Sequence, residues 1–235
     1  MSVGELLGAS FDLYRRNARL VLGVTVPVVA VVTGLTAVGL GEFSAHFKPA
    51  PPVRDTYVNL AANQLVTVPL ISAILARLVL LIRRGESVNA TDLVANALEV
   101  FPAVLLVIVA WLAVSVLGFV SLILPGFYIF VSWYFVVQAV VIDDDRGLAP
   151  ITRSAALVRG HWWQSAIVGI TFQVVALAPQ IAVVYAFAPL ASSANSYAVV
   201  VLAAALASIA ALPFLAIGST LYYLQLRAAT TSVRA

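Results

Sequence analysis

Charged residues in this chain fall in clusters separated by long apolar stretches, and the stretch lengths predict the elements. Between Arg19 and Glu42 lie 22 uncharged residues, and between Asp55 and Arg77 lie 21 more. Glu99 and Asp143 are 43 uncharged residues apart, and Arg159 and Arg227 are 67 apart. An ionised side chain at a bilayer centre costs about 2.5–3.5 kcal/mol on insertion scales, so each gap reads as membrane-spanning. One helix needs roughly 20 residues to cross about 30 Å of hydrocarbon. The two longer gaps therefore hold two spans each, divided at Pro125-Gly126 and at the polar run Ser192–Ser196. Six spans result, at 21–40, 60–82, 103–123, 126–142, 165–188 and 198–224. The first apolar stretch exceeds a signal peptide's roughly 7–15 residues and no convincing small-x-small site follows it, so it reads as an uncleaved anchor.

Three segments ahead of spans one, three and five have helical periodicity with two faces. In Val3–Asn17, Val3, Leu6, Leu7, Leu13 and Tyr14 oppose Glu5, Asp12, Arg16 and Arg19, with Asp12 and Arg16 spaced to pair at i,i+4. In Thr91–Phe101, Leu93, Ala97, Val100 and Phe101 oppose Asp92, Asn96 and Glu99, with Thr91 as the expected N-cap. In Pro150–Trp162, Ile151, Ala155, Leu157, Val158 and Trp162 oppose Thr152, Arg153 and Arg159. These read as interfacial helices with apolar faces in the acyl boundary. Cytoplasmic extensions of tilted spans are the competing reading. The expected fold is all-α and polytopic, one membrane domain over residues 1–235, with six transmembrane helices and three cytoplasmic amphipathic helices. Aligning Ser10, Asn96 and Ser154 suggests a threefold helix-plus-hairpin repeat.

Composition agrees with the pattern. Hydrophobic residues make up 63% of the 235 and charged residues only 10%, too few to cover a water-facing body of this size. Charge then sets the orientation. Ten Lys and Arg fall on the side shared by both termini, and only Lys48 and Arg54 lie opposite, so the termini are expected in the cytoplasm of a bacterial cell membrane. The net charge of +3 restates this bias, and no aromatic-interleaved basic patch points to nucleic acid.

Candidate chemistry is sparse. With no cysteine there is no disulfide, thiolate nucleophile or cysteine-held metal, and His46 and His161 lie far apart. No Gly-x-Ser-x-Gly elbow, phosphate-cradling glycine loop or His-Glu-x-x-His motif occurs. No catalytic, cofactor or metal residue is therefore assigned, and the chain is not expected to be an enzyme. Asp143-Asp144-Asp145 reads as a solvated turn rather than a cation site, since adjacent carboxylates rarely face one centre. Arg15, Arg16, Arg19, Arg153 and Arg159, with Trp162 and Trp163, are the candidate contacts to anionic headgroups or a partner. Arg77 and Gln138 form the candidate intramembrane polar site, Arg77 either snorkelling to the interface or pairing with Gln138 or Asp143. Asn63, Gln64, Gln173 and Gln180 add further amides, which either bond across helices or converge on a path.

Two patches resemble a known family. One runs from Leu124-Pro125-Gly126 through Trp133-Tyr134-Phe135 to Arg153-Ser154-Ala155-Ala156-Leu157-Val158-Arg159-Gly160-His161-Trp162-Trp163. The other is Gly4-Glu5-Leu6-Leu7 with Phe11 and Leu13-Tyr14-Arg15-Arg16-Asn17. Together they resemble the membrane domain fused to some glycerophosphoryl diester phosphodiesterases and its stand-alone six-span bacterial relatives. The resemblance implies architecture. In fused members hydrolysis belongs to a separate soluble barrel, so that activity is not carried over. The expected function is an accessory or scaffolding membrane protein contacting lipids, a protein partner or a second copy of itself. A small transporter or lipid-handling carrier is the alternative.

Overall fold

The computed structural model describes residues 2–39, 53–194 and 197–232. Among these residues the chain is all-helical, and six helices are long and apolar enough to cross a membrane: Ala18–Gly39, Tyr57–Arg84, Ala90–Ser121, Ile123–Ile142, Trp162–Leu190 and Val199–Thr230. His46, Lys48 and the first-loop prolines lie outside the described residues, as do Asn195 and Ser196.

Helix α1 (Val3–Arg16) opens on a capping box in which Glu5 N–H donates to Ser2 Oγ at 3.3 Å and Ser2 N–H to Glu5 Oε2 at 2.8 Å. At Asn17 the chain breaks, its side-chain amide donating to the Leu13 carbonyl at 3.0 Å, before α2 (Ala18–Gly39) begins. The second span comprises α3 (Val53–Ala62), one π-helical turn at Asn63–Thr67 and α4 (Val68–Arg84). The third is α5 (Ala90–Ser121). Its segment 91–101 is continuous with the rest, and the N-cap is Asn89, whose Oδ1 accepts from Thr91 N–H at 3.0 Å, rather than Thr91.

The hairpin into span four turns at Leu122, not at Pro125-Gly126. Those two residues sit in the first turn of α6 (Ile123–Ser132), where a proline's missing N–H has no intrahelical partner to lose. Gly126 serves close approach. A Cβ there would fall 2.5 Å from the Phe119 backbone nitrogen, so α5 and α6 can pack only with glycine at this crossing. Span four then breaks at Trp133–Phe135 and resumes as α7 (Val136–Ile142). The break is capped from outside the span. Phe135 N–H donates to Ser154 Oγ at 3.1 Å, and that hydroxyl donates to the Ser132 carbonyl at 2.9 Å. Ser154 is wholly buried on α8 (Ala149–Val158). Helices α9 (Trp162–Ala194) and α10 (Tyr197–Ser232) complete the chain.

The layering follows from which apolar residues are covered. Every residue of α7 is buried, as are most of those from Pro69 to Leu80 on α4, so these two helices form the interior. Helix α9 packs chiefly along α10, with the Phe172 ring seated where Gly218 lacks a side chain. Its outer face leaves Ile167, Ile170, Val174, Ile181 and Val184 exposed, a continuous apolar surface that a bilayer covers and water does not. The apolar faces of α1 and α8 pack against protein rather than an acyl boundary. Leu6 on α1 is buried, α1 lies mainly on α10, and Ile151, Leu157 and Val158 of α8 belong to the main core. Asp12 and Arg16 form no ion pair, consistent with the small worth of an exposed pair.

Candidate functional site

Three polar features emerge from this packing. The first is a cavity of about 680 Å³ between spans two to six. Gln64, Gln138 and Gln173 all border it, together with Ser72, Ser219, Tyr134 and Trp111. The amides of the π-helical turn Asn63–Thr67 part company. Within it Gln64 borders this cavity, whereas Asn63 borders a separate one of about 110 Å³ and donates to Ser208 Oγ at 3.4 Å. Single π-turns inside α-helices are frequent at functional sites. Gln180 is turned away and donates to its own helix at the Ala176 carbonyl, 3.2 Å away.

Gln138 is the most enclosed of these amides, at 3% exposure. Its Nε2 donates to Ser219 Oγ at 2.9 Å, and that hydroxyl donates to the Ala216 carbonyl at 3.1 Å. Its Oε1 has no hydrogen-bond partner. The alternative in which Arg77 pairs with Gln138 is not seen among the described residues. Arg77 is half-buried on α4 and makes no hydrogen bond or ion pair among the described residues. Nor does it reach Asp143, whose oxygens are taken by other groups.

Those groups form the second feature. The Asp143 side chain is only 3% exposed, which overturns its reading as part of a solvated turn. Arg227 of α10 brings Nη2 to 2.8 Å from Asp143 Oδ1, and Arg153 of α8 brings Nε to 3.5 Å from Oδ2. Tyr223, one turn before Arg227, donates its hydroxyl to the same Oδ2. Of the neighbouring carboxylates, only Asp144 turns away, and Asp145 shares Arg153 with Asp143. Asp144, in a left-handed turn conformation at φ 58°, faces outward and pairs with Arg146 at 2.5 Å, while Asp145 pairs with Arg153 at 3.3 Å. Burial pushes the Arg153 guanidinium down, but Asp143 and Asp145 outweigh it and raise it above its usual value. Sequence reasoning missed this clamp. The available signal was Tyr223 and Arg227 at i,i+4 on the end of span six, one helical face able to meet a carboxylate.

The third feature is a surface. Trp162 Nε1 donates to the Tyr128 carbonyl at 3.3 Å, and its ring stacks on Tyr128 with centroids 5.7 Å apart. Trp163 lies edge-on to Trp162 and is exposed beside Leu124 and Tyr128. Arg15, Arg16, Arg19 and Arg159 are exposed and outside any ion pair among the described residues, whereas Arg153 is committed to the clamp. Comparison with protein-family models, curated proteins and solved structures finds no match to this chain.

Proposed function

We propose that the chain is a non-catalytic integral protein of the bacterial cytoplasmic membrane, with cytoplasmic termini, acting as an accessory or scaffolding protein. The observation that carries this reading is the outward set Arg15, Arg16, Arg19 and Arg159 with Trp163, left uncovered where the apolar faces of α1 and α8 are covered. Arginines near a cytoplasmic leaflet gain about 1 kcal/mol each from anionic lipid, and indoles settle at the headgroup level. On this reading α1, the start of α5 and α8 are the interfacial members of three helix-plus-hairpin units. The family relationship to phosphodiesterase membrane domains is likewise a proposal, supported by the two sequence patches. Native mass spectrometry of nanodiscs cut directly from the membrane tests the function. Co-release of anionic lipid or one reproducible partner, lost on replacing Arg15, Arg16 and Arg19 together by Gln, is the expected result. Release unchanged by that replacement sinks it.

The cavity supports a second reading, a small transporter or lipid-handling carrier, because three amides distant in sequence border one space. Solute flux or lipid transfer in proteoliposomes, lost on Gln173→Leu in a folded protein, is its test. No flux or transfer for any small neutral solute or lipid refutes it.

A further inference from the structure

The large cavity is a cleft whose two ends differ. Tyr57 and Leu60, at the start of span two, and Val116, near the end of span three, are exposed at its mouth, at the end of the bundle away from the termini. Val137, Gln138 and Ala216 are buried at its inner end. On the terminal side of that end, Tyr222 and Tyr223 follow Ser219 on α10 and are buried against Phe135, their ring centroids 5.8 and 6.0 Å from its own. Beyond them Asp143 is held by Arg153 and Arg227. The cleft is thus open at one end, and an aromatic layer backed by ion pairs stops it at the other.

Two side chains in the cleft are out of keeping with hydrocarbon. Gln64 lies seven residues inside the start of its span at Tyr57, and Gln173 eleven inside the start of its span at Trp162. At 1.5 Å per residue these are about 10 and 16 Å along their helices, depths within a hydrocarbon core of about 30 Å. Both amides are exposed, both border the cavity, and neither forms a hydrogen bond among the described residues. An acyl chain filling the cleft would leave both amides without partners in an apolar medium, which is costly. Water entering from the open end meets that need. None of the described lining residues is charged, so an ionised solute would find no counter-charge to replace its hydration. At about 680 Å³ the space falls within the roughly 300–1,000 Å³ of pockets that hold small molecules.

Resting on the carrier reading, we infer that the cleft is a water-filled vestibule, open away from the termini and closed toward them, which receives a small uncharged hydrogen-bonding solute from water rather than a lipid from the bilayer. The chain contains no cysteine, so single introduced thiols report on the cleft without background. Gln64→Cys, Gln173→Cys and the smaller change Ser72→Cys put a thiol at the cleft wall. Ile170→Cys puts one on the exposed outer face of α9, one turn from Gln173 and at similar depth. The reagent is a membrane-impermeant trimethylammonium methanethiosulfonate, added to intact cells or to inverted vesicles. Only the thiolate reacts, and apolar surroundings raise a thiol's pKa. Labelling is therefore expected to be at least about tenfold faster at the cleft positions than at Ile170→Cys, the effect of one pKa unit, and only from the side away from the termini. Equal rates at Gln173→Cys and Ile170→Cys, or labelling as fast from the terminal side, overturn the inference and leave a lipid-handling carrier standing. Ser72→Cys keeps this decisive if the glutamine variants fail to insert. The class of solute is read on the native protein in proteoliposomes, with entry of glycerol and acetamide followed by light scattering and transfer of a fluorescent phospholipid followed in parallel. Solute entry without phospholipid transfer is expected. Phospholipid transfer without solute entry overturns the inference alone, and the absence of both sinks it together with the carrier reading.

Discussion

Replacing Asp143 by Asn removes the negative centre of the clamp while keeping its size and one acceptor for Tyr223. Arg227 and Arg153 then face each other across a neutral amide. Coulomb's law at a water-like permittivity gives about 1.5 kcal/mol for a unit pair at the 2.8 Å of Arg227 and about 1.2 kcal/mol at the 3.5 Å of Arg153. Water-like screening is the appropriate discount, because the two arginine side chains are 44% and 49% exposed even though the carboxylate is not. Mutual repulsion of the guanidiniums already lowers the native gain, so the expected net loss is about 2 kcal/mol. That lies between an exposed pair, at about 0.2–1 kcal/mol, and a fully buried pair broken on one side, at about 3–5 kcal/mol. Reversible unfolding in mixed micelles with increasing sodium dodecyl sulfate, followed by tryptophan fluorescence, measures it. Asp144→Asn is the control. Its carboxylate is 84% exposed, and the expected loss is under about 0.5 kcal/mol. An Asp143→Asn protein as stable as the Asp144→Asn protein would refute the argument that the clamp holds α7, α8 and α10 together.

Ser154→Ala leaves the Phe135 N–H and the Ser132 carbonyl without their partner inside the bundle and is expected to cost about 2 kcal/mol by the same unfolding assay. Gly126→Ala forces α5 and α6 apart and is expected to cost about 1–3 kcal/mol, while Ala at the uncrowded Gly169 costs nothing measurable. Arg77→Leu removes a half-buried charge with no partner among the described residues, so insertion and stability are expected to hold or improve. Loss of a measured transport or binding activity in that folded variant would assign Arg77 a working role instead. Burial raises the Tyr14 phenol above 10.0, so its contribution is complete below that pH and declines as pH rises beyond it. Stability measured from about pH 8 to 11 is expected to fall less steeply in Tyr14→Phe than in the native protein.

How much of this was legible beforehand depended on whether the decisive partner was near in sequence. The spans were legible because the cost of a buried charge acts residue by residue, and the gaps from Arg19 to Glu42 and from Glu99 to Asp143 carry that cost openly. The turn at Leu122 was not. Pro125-Gly126 has the composition of a turn, but a first-turn proline and a close-contact glycine give the same letters. The break at Trp133–Phe135 was invisible because its cap, Ser154, comes from another helix. Asp143 looked solvated in a run of three carboxylates, and Arg227 and Tyr223, folded back from the last helix, join Arg153 in covering it. Gln64 and Asn63 border different cavities, as neighbours about 100° apart around a helix can, but which spaces they meet depends on helices distant in sequence.

The clamp also sets an order of events. Asp143 and Tyr223 are 80 residues apart, so at roughly 5–20 residues per second the carboxylate emerges some 4–16 s before its α10 partners exist. During that interval Asp143 has only Arg153 as a partner, and α8 is tied to span four through Ser154 but not yet to α10. The final helix therefore does more than add a sixth crossing. Its arrival closes the clamp on a bundle whose earlier spans already pack together, and a ribosome stalled before Tyr223 would leave a membrane intermediate recognisable by its open Asp143.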